Sequence, residues 1–325
     1  MKNLETKYLG LNLRSPLIVS SSRLTSTLDH LKEAEDNGAG AVVLKSLFEE
    51  QINYYINSVA SSSAYPEADD YVAYYTRSHS VEEYLTLIRN AKESLKIPVI
   101  PSINCYSSEG WTGFAKKIAE AGADAIEINL FVMPTDRKKS SPEVEKIYFE
   151  LIEKLKKILT IPLSLKIGFR FSNVLWMIDQ FYMRGVDGVV LFNRFYEPDI
   201  DISRMEIVPA SIFSRESEMR YVLRWIAMAS SQDIRMDFSA TTGVHSGGDA
   251  VKYLLAGANS VQVCSVLYEK GIQFLKEMNS GIAEWMERNG YVTIDQFRGK
   301  LNHINVGNPS VYERTQFMKY FSSEE

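Results

Sequence analysis

A phrase that recurs four times along the chain constrains its fold more than any other feature. Each copy has a glycine at the end of an amphipathic stretch, a short turn and an apolar run. The copies are GAGAVVL from Gly38, GADAIEI from Gly122, GVDGVVL from Gly185 and GANSVQV from Gly257. Glycine tolerates the left-handed backbone conformation that ends a helix, and β-branched residues favour a strand. The phrase therefore predicts a helix followed by a strand at four places.

Four further apolar runs lie between these phrases. They read SPLIVS, IPVIPS, IPLSLK and IRMDFS, and they begin at Ser15, Ile97, Ile161 and Ile234. Interleaving the two sets gives eight strands, and their nearly continuous apolar character is typical of a parallel sheet covered on both faces. Amphipathic patterns predict helices over residues 28–36, 81–95, 113–121, 142–159, 174–184, 215–230, 248–256 and 273–288.

Eight strands that alternate with helices predict an α/β fold, the (β/α)8 TIM barrel, because right-handed βαβ units in one series close into a barrel. An open doubly wound sheet competes, but its GxGxxG fingerprint is absent after the first strand, where the chain reads SSSRLT. Two smaller α/β domains are a further alternative, and no linker rich in Pro, Gly or Ser supports them. We expect residues 1–325 to form one domain with a short N-terminal hairpin over residues 5–13, turning at Gly10.

Net charge, cysteine count and the first residues exclude several classes of function. The formal net charge of −5 argues against a nucleic-acid partner, since phosphate backbones are bound by clustered Lys and Arg. The two cysteines lack CxxC spacing and the four histidines match neither HExxH nor HxH, so we expect no metal. The start, MKNLETKYLG, is charged, and no segment reaches the roughly 18 apolar residues that span a bilayer. We expect a cytoplasmic protein with no membrane partner.

Polar side chains stand at the predicted C-terminal end of every strand. Barrel enzymes carry their chemistry at this end, so these side chains predict a ligand site. The alternative is that they face water at the rim. In chain order they are Ser20 and Ser21, Lys45 and Ser46, Asn104, Asn129, Lys166, Asn193, Ser239 with Thr241, and Cys264 with Ser265.

The segment after the seventh strand, ATTGVHSGGDAVKYLLAGA, predicts a phosphate site. Its turn exposes backbone N–H groups, and a helix that begins near Gly248 adds a partial positive charge. Cys264 and Ser265 supply further donors, and the loops after strands seven and eight are the usual phosphate site of this fold. The alternative is a tight turn that needs Gly243 and Gly247 for backbone reasons alone.

Two lysines, Lys45 in VVLKS and Lys166 in SLKIG, stand at strand ends and favour an anionic ligand. A reduced flavin and a phosphorylated sugar are such anions, and a desolvated lysine also forms Schiff bases. Lysines facing solvent at the rim are the remaining alternative.

These residues, in this order, resemble the dihydroorotate dehydrogenase family from SPLIVSSS at Ser15 to SVLYEKG at Ser265. The matching motifs are VLKS, EINL, LKIG, LFN and the long run TTGVHSGGDAVKYLLAGANSVQVCS. The resemblance implies a barrel that binds FMN, and the lack of a hydrophobic N-terminal extension is similar to the soluble class 1 members, which are often homodimers. It implies that Ser20, Ser21, Ser46 and Asn104 lie near the flavin, Lys45 lies between flavin and substrate, Lys166 stabilises the reduced ring, Asn129 and Asn193 line the substrate side, and Thr242, Gly243, Cys264 and Ser265 cradle the phosphate.

The loop after the fourth strand departs from the family pattern. Class 1 members have a cysteine there, and class 2 members a serine, that removes a proton from the dihydropyrimidine. Here the loop reads NLFVMPTDRKKS, so Phe131, Val132 and Met133 occupy that place and none accepts a proton. We predict a divergent member that lacks the base near Val132. Lys45 is then the catalytic candidate, and Asp136 or Cys105 either substitutes after loop movement or is structural.

Two further departures concern the second βα loop and the phosphate turn. Residues 48–80 form a long connection and a candidate lid, in which Asn57 and Ser58 match the family's substrate segment and the tyrosines either stack on a planar ligand or pack the loop. Thr242 stands where the family usually has a second glycine, which would tighten the pocket.

The sequence thus predicts an FMN-dependent oxidoreductase that acts on a CH–CH bond of a small pyrimidine-like substrate. One alternative is a lyase or isomerase of a phosphorylated sugar that uses Lys45 or Lys166 as a Schiff-base lysine. The other is a catalytically inactive flavin-binding paralogue.

Overall fold

The structure is a computed structural model that describes residues 2–53, 68–107, 112–195 and 197–314, with side chains in the second range from residue 81 onward. The strands are β1 Thr6–Tyr8, β2 Leu11–Leu13, β3 Leu17–Val19, β4 Ala41–Val43, β5 Leu47–Phe48, β6 Val99–Ile100, β7 Ser102–Cys105, β8 Ile126–Leu130, β9 Leu163–Ile167, β10 Gly188–Leu191, β11 Pro198–Asp201, β12 Glu206–Pro209, β13 Asp237–Ala240 and β14 Ser260–Val263. The α-helices are α1 Leu28–Asp36, α2 Ala68–Ser94, α3 Thr112–Glu120, α4 Ser141–Lys156, α5 Val174–Met183, α6 Met219–Ala229, α7 Gly247–Ala256, α8 Ser265–Lys270, α9 Phe274–Arg288 and α10 Ser310–Glu313.

A parallel sheet curls around the centre of the molecule in the order β5-β7-β8-β9-β10-β13-β14-β3-β4-β6. Residues 44–46 separate β4 from β5, and Pro101 separates β6 from β7, so each pair fills one position. Because β4 pairs with β6 and β5 pairs with β7, the ring closes with eight strand positions. The amide of Leu44 donates to the carbonyl of Ile100 at 2.9 Å across this junction. The predicted (β/α)8 barrel is confirmed.

The recurring glycine phrase behaves as its chemistry predicts. Gly38, Gly122, Gly185 and Gly257 have φ angles of 92°, 96°, 82° and 113°, and each is followed by a strand of the barrel. In this left-handed region a side chain costs free energy that glycine avoids. The helices that precede these strands bury one face against the sheet, which places the main core between the two layers.

The N-terminal hairpin closes the bottom of the barrel, as predicted. β1 and β2 pair antiparallel around Gly10, whose φ is 74°. The side chain of Tyr8 is buried at the end of β1, and its hydroxyl lies 2.8 Å from Oγ of Ser164 inside the barrel. With Leu9 and Leu13 it forms a second apolar cluster below the strands.

A second hairpin, β11–β12, was not predicted, and it carries exposed apolar residues. The strands pair antiparallel, and Ile202 and Met205 near the turn are 86% and 88% exposed. Isoleucine at residues 200, 202 and 207 alternates with acidic and other polar residues, which is a strand pattern. The segment is a long insertion after the sixth barrel strand, and it has no helical periodicity.

The helix before the third strand position is longer than the predicted 81–95. It begins at Ala68 and therefore takes in the last part of the segment 48–80, while residues 49–53 are also helical. Asn57 and Ser58 lie outside the described residues, and the lid role of the segment stays a prediction. Among the described helices, none has the length and apolar character needed to cross a bilayer.

Candidate functional site

Neighbouring strands bring polar side chains to one level near the top of the barrel. The register pairs Asn104 of β7 with Asn129 of β8, and Asn129 with Lys166 of β9. Because side chains alternate along a strand, residues paired in register face the same side of the sheet. Across the mouth, Nδ2 of Asn193 donates to Oδ1 of Asn129 at 3.0 Å. The two amides that the resemblance assigns to the substrate side are thus in contact.

Lys166 is the centre of a buried polar cluster. Its ammonium Nζ donates to Oγ of Ser20 and to Oε1 of Gln262, both at 3.0 Å. The Ser20 hydroxyl also donates to Oε1 of Gln262 at 3.0 Å, so the three side chains form a triangle. Lys166 is 6% exposed, and it is held inside the barrel rather than extended into solvent.

One layer below, Glu127 lies within reach of the same cluster. Nε2 of Gln262 donates to Oε2 of Glu127 at 2.5 Å, and Oε1 of Glu127 lies 3.9 Å from Nζ of Lys166. Glu127 is 1% exposed, and burial raises the pKa of its carboxyl group while the charge of Lys166 and the hydrogen bond from Gln262 oppose that rise. Its Oε1 has no hydrogen-bond partner among the described residues. A buried ion pair of this kind is expensive to desolvate.

Sequence reasoning missed both Glu127 and Gln262, although a signal was present. Glu127 precedes Asn129 by two residues in EINL, and Gln262 precedes Cys264 by two in VQVCS. A period of two puts such residues on the same face of a strand. Polar residues inside an otherwise apolar barrel strand should therefore have been read as part of the interior.

The turn after β13 presents an amide to the cavity above Lys166. Thr242 and Gly243 have φ angles of 76° and 74°, and the amide of Gly243 donates to Oγ of Ser214 at 3.2 Å. A Cβ on Gly243 would lie 2.6 Å from the backbone nitrogen of Met219 at the start of α6. The turn is held from below by the hydroxyl of Tyr253, which donates to the Thr242 carbonyl at 2.7 Å.

The strand end after β14 faces the same turn. Oγ of Ser265 accepts hydrogen bonds from the amide of Ser214 at 3.0 Å and from its hydroxyl at 3.1 Å. Burial raises the pKa of the Cys264 thiol, although Lys166 and a hydrogen bond involving Ser22 oppose the shift. Cys264 is therefore neutral at physiological pH, as suits a binding group rather than a nucleophile.

A single cavity of about 180 Å³ joins the turn at Thr242 and Gly243 to the Lys166 cluster. It is lined by most of the residues that the sequence assigned to the cofactor, together with Gln262, Ser214 and Arg194, which it did not. The assigned residues in its wall are Ser20, Ser21, Lys166, Asn193, Thr242, Gly243, Cys264 and Ser265.

Lys45 does not share this cavity. Its side chain is exposed, and it lines a separate cavity of about 260 Å³ with Phe48 and Tyr84. Its neighbour Ser46 turns inward, where its hydroxyl lies 3.0 Å from Oγ of Ser21 and 2.8 Å from Oγ of Ser102. The structure thus separates two lysines that the sequence grouped together.

The loop after β8 covers the mouth with apolar groups. The ring of Phe131 lies 3.9 Å, centre to centre, from that of Phe195. Phe195 also packs so closely against Gly168 that a Cβ at this residue would clash with its ring. The amide of Val132 donates to the hydroxyl of Tyr148 at 3.3 Å, and Met133 is 52% exposed. Among the side chains of residues 131–133, none is a proton acceptor.

The two candidate substitutes for the base sit in structural roles. Cys105 is buried, and desolvation followed by the charge of Glu49 raises the pKa of its thiol well above its usual range. Asp136 is exposed, and its Oδ1 accepts the amide of Lys138 at 2.9 Å within a turn. A protonated thiol and a turn-capping carboxylate in solvent do not serve as a poised base in this conformation.

A larger cavity of about 520 Å³ adjoins the first and was not foreseen. Aromatic rings form much of its wall, and Asn193, Arg194 and Thr242 line both cavities. Nε of Arg194 lies 2.8 Å from a carboxylate oxygen of Glu218, which holds the guanidinium at the boundary. Within the described ranges, no group of three or more His, Cys, Asp or Glu side chains could hold a metal ion.

Comparisons with known proteins agree with this geometry. A family model described as dihydroorotate dehydrogenase matches residues 73–286, which is more than half of the chain. The catalytic subunit of dihydroorotate dehydrogenase B (NAD(+)) from Pyrococcus abyssi is 28% identical over 307 residues, covering 91% of this chain and 98% of the relative. The corresponding subunit from Thermoplasma volcanium is 25% identical over 323 residues, covering 92% and 98%. The PreA subunit of NAD-dependent dihydropyrimidine dehydrogenase from Escherichia coli K12 is 26% identical over 328 residues, covering 93% of this chain and 77% of the relative. The chain belongs to the dihydroorotate dehydrogenase family.

Proposed function

We propose that this protein is an FMN-dependent oxidoreductase that acts on a CH–CH bond of a small pyrimidine-like substrate. The observation that carries the proposal is the single cavity in which a buried lysine and the turn after β13 meet. Family membership and relatives named for dihydroorotate and dihydropyrimidine dehydrogenases support an oxidoreductase of pyrimidines. The choice of dihydroorotate as the specific substrate within this class is also part of the proposal.

The phosphate side of the cavity fits FMN. The Gly243 amide already donates to an oxygen, the Ser214 hydroxyl, at 3.2 Å, and the backbone at Gly243 leaves no room for a Cβ. Backbone amides at the start of a barrel helix are suited to phosphate oxygens. Thr242, Gly243, Cys264 and Ser265 would hold the phosphate, and Arg194 would add a positive charge nearby.

The floor of the cavity fits the ring of a flavin. When bound, FMN supplies the redox chemistry, and the protein supplies orientation and charge. Lys166 is fixed by Ser20 and Gln262, so its ammonium group needs no reorganisation to stabilise negative charge above it. Ser20, Ser21 and Asn193 complete the polar wall, with Ser46, Asn104 and Asn129 on the neighbouring strand ends.

On the proposed substrate side, residues 131–133 lack the proton acceptor that the resemblance assigns to class 1 members. Phe131 and Phe195 form an apolar surface beside the Asn129–Asn193 amide pair. Amides fix the carbonyl and N–H groups of a planar substrate, but they do not remove a proton. Lys45 stays a proposed catalytic residue at the end of its strand, but an ammonium group has no lone pair to accept a proton, and its side chain lines a separate cavity.

The buried position of Lys166 argues against the Schiff-base alternative. A nucleophilic lysine must be neutral and free to attack. Nζ of Lys166 instead donates two hydrogen bonds and lies 3.9 Å from a carboxylate oxygen, so its partners hold it in place and it is not free to attack. The inactive flavin-binding paralogue is the second candidate, and the apolar loop at residues 131–133 favours it.

Anaerobic reduction separates the two candidates. The purified protein should carry FMN, and its absorbance should bleach when dihydroorotate or dihydrouracil is added without oxygen. The Asn129→Ala variant should keep the flavin and lose the bleaching, because it removes a substrate contact and leaves the phosphate turn intact. A flavin that no dihydropyrimidine bleaches would assign the protein to the inactive class.

Two further proposals accompany this function. Residues 1–325 form one FMN-binding domain. The protein is a homodimer, and the exposed apolar tip of the β11–β12 hairpin is consistent with such an association. Sedimentation velocity of the wild type and of the Ile202→Ser/Met205→Ser variant tests the last of these.

A further inference from the structure

Glu127 is an unusual group to find beneath a ligand cavity. Its side chain is sealed inside the barrel, Oε2 accepts from Gln262, and Oε1 has no hydrogen-bond partner among the described residues. A buried carboxylate oxygen without a donor costs free energy, so an orphan of this kind needs a physical reason. The charge of Glu127 instead depends on Nζ of Lys166, 3.9 Å from Oε1.

The groups that face Glu127 come from four elements. Tyr8 of β1 and Tyr84 of α2 interact electrostatically with it, Gln262 of β14 donates to it, and Lys166 of β9 lies above it. Burial first, with the charge of Glu127 adding to it, raises the pKa values of both tyrosines, so they stay neutral. Tyr8 also interacts electrostatically with Asp237, whose charge raises the pKa of Tyr8 further. Lys166 is therefore the cation that compensates a charged Glu127.

The ammonium group of Lys166 also faces the cavity. Lys166 lines the wall of the 180 Å³ cavity, while Oε1 of Glu127 lies 3.9 Å from its Nζ on the other side. An anion in the cavity competes with Glu127 for this one charge, because two anions and one cation leave a net negative charge in a medium of low dielectric. Such a site lowers its free energy by binding a proton.

We propose that Glu127 is a positioning residue that takes up a proton from solvent at Oε1 whenever the charge of Lys166 is neutralised from the cavity side. The inference rests on the proposed function where the anion is reduced FMN. The dihydropyrimidine would supply the two electrons and one proton that make the flavin an anion, and Glu127 would take up one further proton from solvent. The site would then bind two protons for two electrons.

The first test needs no flavin. Lys166→Met removes the ammonium charge permanently, and Lys166→Gln does the same while keeping hydrogen-bonding atoms for Ser20 and Gln262. Infrared spectra of the flavin-free variants at neutral pH should contain the carbonyl band of a protonated, buried carboxyl group. The band should be absent from the Glu127→Gln/Lys166→Met double variant and from wild type. A Lys166 variant that folds without this band overturns the proposal.

The second test uses the holoenzyme. The reduction potential of bound FMN should fall with pH more steeply in wild type than in Glu127→Gln, by about 30 mV per pH unit, the equivalent of one proton for two electrons. Ser260→Ala is the control, because it removes a buried hydroxyl inside the same barrel without changing charge. Equal slopes in wild type and Glu127→Gln contradict the inference.

The two tests separate the inference from the proposed function. A protein that binds no flavin rejects the proposed function, while the infrared test still decides whether Glu127 takes up a proton. A protein that binds FMN and shows equal slopes keeps the proposed function and loses the role of Glu127.

Discussion

The two sides of the barrel mouth differ in how completely polar groups line them. On the side of β13 and β14, a buried lysine, four serines and Gly243 line one cavity, and Lys166, Ser20 and the Gly243 amide all donate hydrogen bonds there. On the side of β8, Phe131 lies against Phe195, and no proton acceptor stands at residues 131–133. We infer that the parts that anchor a cofactor and the parts that act on a substrate vary independently in this fold.

Adding a thiol on the apolar side should reduce the difference between the two sides more than any other change. In Val132→Cys, anaerobic reduction of the flavin by dihydroorotate should accelerate by about 10²-fold or more, because a positioned base contributes on that order. Stopped-flow absorbance measures the rate. Val132→Ala is the control, and an equal acceleration in both variants would show that space rather than a base limits the reaction.

Removing the charge from the polar side should damage the fold itself. Lys166→Met leaves Glu127 buried without its cation, so the free energy of unfolding should fall by about 3 kcal/mol, the lower end for broken buried pairs because the carboxyl group can bind a proton. The loss should grow with rising pH, since the raised pKa of Glu127 means that its charged form destabilises the folded state. Urea denaturation tests both, and the double variant with Glu127→Gln should recover most of the loss.

The phosphate turn allows a sharper test within the polar side. Gly243→Ala places a Cβ 2.6 Å from the backbone of Met219 at a φ of 74°, so we expect about 2 kcal/mol of destabilisation and weaker FMN binding. Gly248→Ala is a matched control one turn later, where the nearest atom is Oγ of Ser246 at 3.6 Å. Thermal unfolding should separate the two variants, and similar melting temperatures would mean that the turn can relax.

Asp249 anchors the helix behind this turn and gives a pH-dependent test. Burial alone would raise the pKa of its carboxyl group, but hydrogen bonds from Lys252, Ser246 and the His245 amide together lower it. Its contribution is therefore complete above the unfolded value of about 3.9 and is lost as the pH falls through that range. Asp249→Asn should cost about 1 kcal/mol at pH 7 and much less at acid pH. A constant cost at every pH would contradict the assignment.

The smallest effect concerns Thr242. A β-branched residue at a φ of 76° is strained by about 1 kcal/mol, and its Oγ1 donates to the Phe192 carbonyl at a long 3.3 Å. Thr242→Gly should therefore stabilise the fold by less than 1 kcal/mol after the lost hydrogen bond is counted. A destabilised variant would show that the hydroxyl outweighs the strain.

Particular elements show what the sequence could and could not predict. The glycine phrase placed four barrel strands correctly, and the other apolar runs and the amphipathic patterns placed the remaining strands and most helix bounds, because local backbone preferences and tertiary packing agree there. The breaks at residues 44–46 and at Pro101 were missed, because a change of pairing partner depends on the neighbouring strands and leaves no local sequence pattern. For the site, strand ends identified the cavity wall. The partnership of Glu127, Lys166 and Gln262 joins strands far apart in sequence, and only closure of the ring brings them together.

The account depends on a flavin phosphate being held beside Lys166, and calorimetric titration of the flavin-free protein tests this directly. FMN should bind with one site per chain, and riboflavin, which lacks the phosphate, should bind at least about tenfold more weakly, as the loss of one charge-assisted hydrogen bond implies. Lys166→Met should weaken both ligands, because it removes the charge under the ring. Failure of FMN to bind, or equal affinity for riboflavin, would contradict the assignment of this cavity.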